Sequence, residues 1–158
     1  MFGLVFVWVF FAIFAHNGFL SIQGTKSYLQ VSSEIGILAI GVALLMISGE
    51  FDLSIGSLIG FSSMSLTLLT VETNLTMPVA SLITLIMVMI IGYCNGITVV
   101  KSGLPSFIIT LGSLFMIRGF TIAISKIITG RTQIGGIEES KGFNIMSSVF
   151  SNHLTIAG

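Results

Sequence analysis

The stretch "ISGEFDLSIGS", residues 47–57, places two carboxylates, Glu50 and Asp52, between two long apolar runs. A soluble core and the centre of a bilayer both exclude such charges unless partners or water receive them. Gly49 precedes the two acids and Gly56 follows them, so the pattern predicts a break between two helices near residues 49–53. The sequence leaves two readings open. The break is either a solvated turn at the membrane surface or the discontinuity of a broken helix held inside the protein.

A buried break has a further consequence for the third apolar span. Its first turn would leave backbone N–H groups without acceptors. Asp52 is placed to cap that helix by accepting from the N–H groups near Ser54 and Ile55.

The composition of the 158-residue chain is that of a membrane protein. Charged residues make up 8% and hydrophobic residues 54% of the sequence, whereas an ordinary soluble domain carries about 25% charge. The formal net charge is +0, which argues against a nucleic-acid partner. The single cysteine, together with the lack of metal-ligand spacing, of a nucleophile–base pair and of a phosphate loop, predicts no enzyme, no metal site and no bound cofactor.

Five apolar runs make up most of the chain. They cover residues 2–15, 31–48, 53–71, 79–100 and 107–128. These runs are apolar on every face, show no strand alternation and approach the length that crosses a hydrocarbon core of about 30 Å. They predict an all-α, polytopic transmembrane bundle of about five spans, with Glu34 in the first turn of the second. Residues 1–158 are then one partial membrane domain, and residues 129–158 a polar periplasmic loop or tail.

The short loops predict an orientation. The turn at 101–106 carries Lys101 and reads as cytoplasmic, whereas the turn at 72–78 carries Glu72 and no Lys or Arg. If each apolar span crosses the membrane once, successive loops lie on alternate sides, and the N-terminus and the break are then cytoplasmic. Lys26, Arg131 and Lys141 then lie outside, which runs against the rule.

Arg118 lies near the middle of the fifth span. A charge there costs about 2.5–3.5 kcal/mol on insertion scales. It therefore needs an aqueous path or an acidic partner, for which Asp52 or Glu50 are the candidates if the break is buried. The alternative is that Gly119 interrupts the span and leaves Arg118 near an interface.

Two glycine pairs have the G-x-x-x-G spacing that places both glycines on one helix face. They are Gly56 with Gly60 in the third span and Gly92 with Gly96 in the fourth. Such faces let helix backbones approach closely. The pairs predict helix packing, within the bundle or, as the weaker option, at a dimer face.

Three blocks of sequence resemble a known family. "GILAIGVALLMISGEFDLSIGSLIGFSSM" (36–64), Asn95-Gly96 and "LPSFIITLGSLFMIRGF" (104–120) are similar to the permease subunits of bacterial ABC importers for monosaccharides. These ribose-type permeases belong to the branched-chain amino acid and sugar permease family. Glu50 replaces a glycine of the family's turn. The blocks cover about residues 31–130, and the resemblance predicts the N-terminal half of such a permease.

The resemblance implies a transport subunit in the bacterial cytoplasmic (inner) membrane that performs no covalent chemistry. Its partners would be a second permease copy, cytoplasmic subunits that bind and hydrolyse ATP, and a periplasmic solute-binding protein. The solute is a monosaccharide or a similar small polar molecule, which hydroxyl and amide groups recognise. The predicted substrate path contains Asp52, Ser54, Asn95, Thr110, Ser113 and Arg118.

Two other readings stay open at this point. One is a secondary carrier in which Asp52, Glu50 and Arg118 form an intramembrane relay. The other is a membrane fragment that transports nothing.

Overall fold

A computed structural model describes residues 2–132 and 134–150, and every regular element in those ranges is a helix. The α-helices are α1 Phe2–Phe14, α2 His16–Phe19, α3 Ile22–Ile47, α4 Ile55–Val71, α5 Met77–Ser102, α6 Ser106–Thr129 and α7 Phe143–Phe150, with a 3₁₀-helix at Ile137–Glu139. The predicted all-α class is confirmed. The chain divides into two compact units, Met1–Gly49 and Glu50–Gly158.

Three helices, α3, α5 and α6, are long and apolar enough to cross a membrane, and α1 and α4 are shorter apolar helices. Among the described residues the buried hydrophobic core contains only Phe61, Leu68, Ala80 and Ile117, while most large apolar side chains are exposed. A soluble monomer rarely exposes apolar surface on this scale. Lipid and neighbouring helices must therefore cover it, and the predicted transmembrane helical bundle is confirmed.

In the first unit, α3 begins well before the predicted start at residue 31. Ser21 caps its N-terminus, because its Oγ accepts from Gly24 N at 3.0 Å and donates to the Gly18 carbonyl at 2.6 Å. A Cβ at position 24 would overlap that carbonyl, so only glycine fits there. No proline follows before Ile47, and the polar residues simply extend the helix. Glu34 therefore lies in the middle of α3, and its predicted place in a first turn is wrong.

In the second unit, α4 packs along α6 and against α5. The helix α5 starts at Met77, two residues before the predicted span, because Pro78 needs no N–H partner in a first turn. Gly103 ends it in the left-handed conformation, with φ 66°. The chain can therefore turn directly into α6.

The described part of the polar tail folds back onto the end of the bundle. Gly130 ends α6 with φ 70°, and Ser125 Oγ donates to the Arg131 carbonyl at 2.7 Å. Met77 N donates to the Lys141 carbonyl at 2.8 Å, which ties the tail to the start of α5. The tail and the 72–76 turn thus share one end of this unit, opposite the break and the 103–105 turn.

Candidate functional site

The break between α3 and α4 donates backbone hydrogen bonds to hydroxyl groups in the first turns of α6. Phe51 N donates to Ser106 Oγ at 2.9 Å, and Leu53 N donates to Thr110 Oγ1 at 3.1 Å. Thr110 Oγ1 in turn donates to the Ser106 carbonyl at 2.9 Å. Ser106 and Thr110 are both buried. Side chains of α6 therefore satisfy the Phe51 and Leu53 N–H groups of the break, and irregular structure at membrane depth requires partners of this kind.

The Asp52 carboxylate binds the residue that opens α4. Its Oδ1 accepts from Ser54 N at 2.7 Å and from Ser54 Oγ at 2.6 Å. Ser54 is fully buried and Asp52 is half-buried. Of the two bonds that the buried form of the break predicts, the described residues show the one from the Ser54 N–H and none from the Ile55 N–H, and Ser54 is the N-cap residue of α4. The negative charge also lies at the positive end of the α4 dipole, where it is stabilised.

Asn95 extends this contact to two further helices. Asn95 Nδ2 donates to Ser54 Oγ at 3.2 Å, and Asn95 Oδ1 accepts from Ser113 Oγ at 2.8 Å. The hydrogen bonds run in one direction, from Ser113 on α6 through Asn95 on α5 and Ser54 to the Asp52 carboxylate. We call these four residues the Asp52 network. Because they come from the break, α5 and α6, the network fixes the relative positions of these elements.

The network borders an open groove of about 470 Å³, the Asn95 groove. Asn95 and Ser113 are the polar members of its wall, and Phe61, Ile117 and Phe120 are among the apolar ones. A mostly apolar cavity with a few placed polar groups is typical of a small-molecule site.

Arg118 lies elsewhere. It is exposed on α6 and lines a second groove of about 480 Å³, the Arg118 groove, whose α4 wall includes Gly56, Ser57 and Gly60. None of the other predicted path residues lines this groove. Within residues 2–132 and 134–150 no ion pair joins Arg118 to Asp52 or Glu50, so the structure does not bring these charges together. α6 also continues unbroken through Gly119 to Thr129, so Gly119 does not interrupt the span.

The two G-x-x-x-G pairs face open space. A Cβ built on Gly56, Gly60, Gly92 or Gly96 meets nothing within 4 Å. Their predicted packing role therefore stays a prediction, and it concerns surfaces that the described part of the chain leaves uncovered. Gly49, the remaining break residue, has φ 83° and closes the end of α3 through a bond from its N–H to the Met46 carbonyl at 3.0 Å.

Ser106 belongs to the site although the sequence analysis did not select it. The usable signal is its position: it follows Pro105 at the start of a span and lies four residues before Thr110, so both hydroxyls share one helix face. The described residues contain no group of three His, Cys, Asp or Glu side chains that could hold a metal ion.

The helices are long and apolar, hydroxyls of α6 accept from the break, and polar groups of α5 and α6 line the groove. These features define a polytopic membrane protein with a solute-sized groove. Residues 24–157 match the family described as branched-chain amino acid transport system / permease component, and this chain belongs to that family. The predicted resemblance is confirmed. The chain is therefore a multi-pass protein of a bacterial inner membrane.

Curated relatives support the same family. The xylose transport system permease protein XylH of Escherichia coli (strain K12) is 30% identical over 124 residues, which are 78% of this chain and 32% of that protein. The inner membrane ABC transporter permease protein YjfF of the same organism is 31% identical over 109 residues, covering 69% and 33%. The autoinducer 2 import system permease protein LsrD of Photorhabdus laumondii is 35% identical over 104 residues, covering 65% and 31%. The chain spans about a third of the length of these relatives. No solved structure matches it.

Proposed function

We propose that this chain forms part of the path along which an ATP-driven importer carries a monosaccharide or a similar small polar solute. The family and the names of the relatives, which include a xylose and an autoinducer 2 permease, support this proposal. The observation that carries it is the Asp52 network, which brings four of the predicted path residues together beside a groove. Thr110, the fifth, holds the break next to them.

The network suits an uncharged polyol. One N–H of the Asn95 amide goes to Ser54, which leaves the second N–H to donate to a solute hydroxyl. The Ser113 hydroxyl donates to Asn95 and keeps its lone pairs for accepting. The Asp52 charge is compensated locally by two donors from Ser54, so the groove presents dipoles rather than an open charge.

The remaining functions belong to partners. ATP binds to and is hydrolysed on separate cytoplasmic subunits, a second permease copy completes the pore, and a periplasmic solute-binding protein delivers the solute. This chain then contributes no catalytic residue and no cofactor site. Its part is to position polar groups along the path. Ser106 and Thr110 hold the break in place by accepting hydrogen bonds from its backbone.

A secondary carrier with an Asp–Arg relay finds no support in the described residues. The relay requires Arg118 near Asp52 or Glu50, whereas Asp52 binds Ser54 and Arg118 lines the other groove. A protonation relay also needs a carboxylate open to the path. We therefore do not propose it.

The test is uptake of labelled monosaccharides into proteoliposomes that contain the chain with its co-purifying subunits. We expect uptake of one pentose or hexose that requires internal ATP, and no uptake of leucine. Ser113→Ala should lower that uptake about tenfold, because one part-buried hydrogen bond is lost, and Asn95→Ala should lower it at least as much, because two are lost. Thr98→Ala is the matched control, since Thr98 is exposed on the same helix and donates only to the Cys94 carbonyl. Uptake that needs a proton gradient instead of ATP, or that both variants leave intact, would overturn the proposal.

A further inference from the structure

Two grooves of the second unit meet end to end. One is the Asn95 groove. The other has a volume of about 290 Å³ and extends to Glu72 at the 72–76 turn, and we call it the Glu72 groove. The two grooves have three wall residues in common, which are Phe61, Met87 and Phe120. Together the grooves connect the 72–76 turn with the polar groups of the Asn95 groove.

The three shared residues come from three helices but lie at about the same depth. At 1.5 Å per residue, each is about 14–15 Å from the end of its own helix that lies away from the break. By the same measure, about 10–12 Å separates Met87 from Asn95 on α5 and Phe120 from Ser113 on α6. We call Phe61, Met87 and Phe120 the apolar junction.

The apolar junction separates two polar ends. Glu72 and Thr73 line the groove on one side of it, and Asn95 and Ser113 line the groove on the other. The three junction side chains offer no hydrogen-bond donor and no strong acceptor. A hydroxyl that passes them gives up water without replacement, and a charged group loses far more. Apolar constrictions gate channels by this loss of water, so the junction has the chemistry of a barrier.

The junction side chains differ in how firmly the core holds them. Phe61 is 5% exposed, whereas Met87 is 37% and Phe120 is 54% exposed. Phe61 is therefore fixed by packing. The other two can change rotamer without disrupting the core, and the unbranched Met side chain adapts readily to a changing contact. Movement of these two side chains is enough to open the junction.

The Arg118 groove is a second continuation of the Glu72 groove, which it borders at Phe61, Met64 and Thr121. Met87 and Phe120 do not line the Arg118 groove. Substitutions at these two residues therefore change the connection to the Asn95 groove and leave the Arg118 groove as it is. A path for water or solute through the Arg118 groove would give a different result in the test below.

We propose that the apolar junction is the barrier of the solute path in this unit. Phe61 forms its fixed part, and Met87 and Phe120 close it between transport events and turn aside when the solute passes. The solute then enters the Glu72 groove from the 72–76 turn and reaches the Asn95 groove through the junction, which favours an uncharged molecule. This inference rests on the proposed function, which assigns the Asn95 groove to the solute.

The native Cys94 tests this proposal without an added cysteine. It is the single cysteine of the chain, it is exposed, and it lines the Asn95 groove. The importer with its co-purifying subunits is reconstituted in vesicles without ATP, and a charged, membrane-impermeant methanethiosulfonate reagent is added to one side or the other. Modification is measured as added mass on this chain. We expect Cys94 to react from the side of the break and not from the side of the 72–76 turn.

Substitutions at the junction should open it. Met87→Ala and Phe120→Ala, separately and together, should raise the reaction rate of Cys94 from the turn side towards the rate measured from the break side. Met116→Ala and Phe115→Ala are the matched controls and should leave the turn-side reaction unchanged. Of the two grooves Met116 lines only the Asn95 groove, and Phe115 lines neither. All four side chains are exposed in this chain.

Three results would overturn the proposal. Equal reaction from both sides in the unchanged protein would show that the junction is open. Absence of reaction from either side would show that lipid or another helix fills the Asn95 groove. An unchanged turn-side reaction in the variant with both Met87→Ala and Phe120→Ala would place the barrier elsewhere. The proposed function is tested separately by uptake: if uptake still needs ATP, Asn95 and Ser113, the solute path stands and only the barrier at the junction is refuted.

Discussion

Asp52 is the residue on which the break depends. Its carboxylate accepts two short hydrogen bonds from Ser54 and stands at the start of α4. Hydrogen bonds to a charged group contribute about 1.5–3 kcal/mol each. We predict that Asp52→Leu nearly abolishes uptake by the assembled importer and lowers its melting temperature. Asp52→Asn, which retains an oxygen acceptor, should keep measurable uptake. Transport and melting are compared at equal amounts of protein in the membrane, and normal uptake by Asp52→Leu would reduce Asp52 to a solvated turn residue.

Two buried hydroxyls have opposite hydrogen-bond environments. Ser54 is fully buried and bonds to Asp52 and Asn95, whereas Thr84 Oγ1 is buried with no partner in the described part of the chain. We predict that Ser54→Ala destabilises the protein by about 1–3 kcal/mol, because partners are left unsatisfied. Thr84→Val should be neutral or stabilising, since no bond is lost. Thermal unfolding in detergent measures both, and a larger loss for Thr84→Val would show that its hydroxyl binds a group outside the described residues.

The hydrogen bonds of the site differ in how far apart their partners lie in the sequence, and only the short-range ones could be predicted from it. The contact between Asp52 and Ser54 spans two residues, and the pattern of an acid before a helix start predicted it. The bond between Ser113 and Asn95 spans 18 residues, and that between Phe51 and Ser106 spans 55. A single sequence contains no distance information at that separation. The sequence selected Asn95, Ser113 and Thr110 as polar groups in apolar spans, but only the packed helices show that Asn95 bonds to Ser113 and that Thr110 bonds to the break.

At the scale of elements, the end of α5 tests the role of a left-handed glycine. Gly103 closes the helix at φ 66°, whereas Gly92 lies inside the same helix with open space around its Cβ position. We predict that Gly103→Ala destabilises the protein by about 1–2 kcal/mol, the cost of that conformation for an L-residue. With no helix packed on the face of Gly92 and Gly96, the same change at Gly92 should be neutral or stabilising by about 0.5–1 kcal/mol, because alanine favours helix; a helix packed there would make the change destabilising. The melting temperatures of the two variants test this prediction. If Gly92→Ala lowers the melting temperature as much as Gly103→Ala does, the loss of stability comes from added side chains on α5 and not from the left-handed conformation at Gly103.

The break and α6 form a second element-scale unit. Phe51 N and Leu53 N depend on the hydroxyls of Ser106 and Thr110. Hydrogen–deuterium exchange should therefore be faster at the Phe51 amide in Ser106→Ala and at the Leu53 amide in Thr110→Val. Ser113→Ala is the control, because Ser113 does not touch the break backbone. Equal exchange in all three variants would show that water, and not α6, satisfies these amides.

The helix α3 explains an error in the predicted elements. Span prediction follows hydropathy, so the polar residues before position 31 read as a loop. The backbone continues through them because Ser21 supplies a cap and nothing after it stops the helix. Hydropathy marks the part of a helix that suits lipid, whereas caps and breakers mark where the helix begins and ends. The α5 boundary shows the same effect at Pro78.

At the scale of the whole second unit, the structure shows which loops lie at the same end of the helix bundle. The charges of those loops predict which side of the membrane each end faces. The break and the 103–105 turn lie together through Ser106, and the 72–76 turn lies at the other end of α5. Lys101 predicts that the break faces the cytoplasm.

The orientation can be tested by labelling cysteines at the two ends of α5. In a Cys94→Ser background, Asn74→Cys should react with a membrane-impermeant thiol reagent added to intact spheroplasts. Ser102→Cys should react only after the membrane is opened. The reverse pattern would place the break in the periplasm and leave the fold intact. Reaction of both sites from one side would mean that α5, at 26 residues and about 39 Å, does not cross the membrane, and the bundle would have to be redrawn.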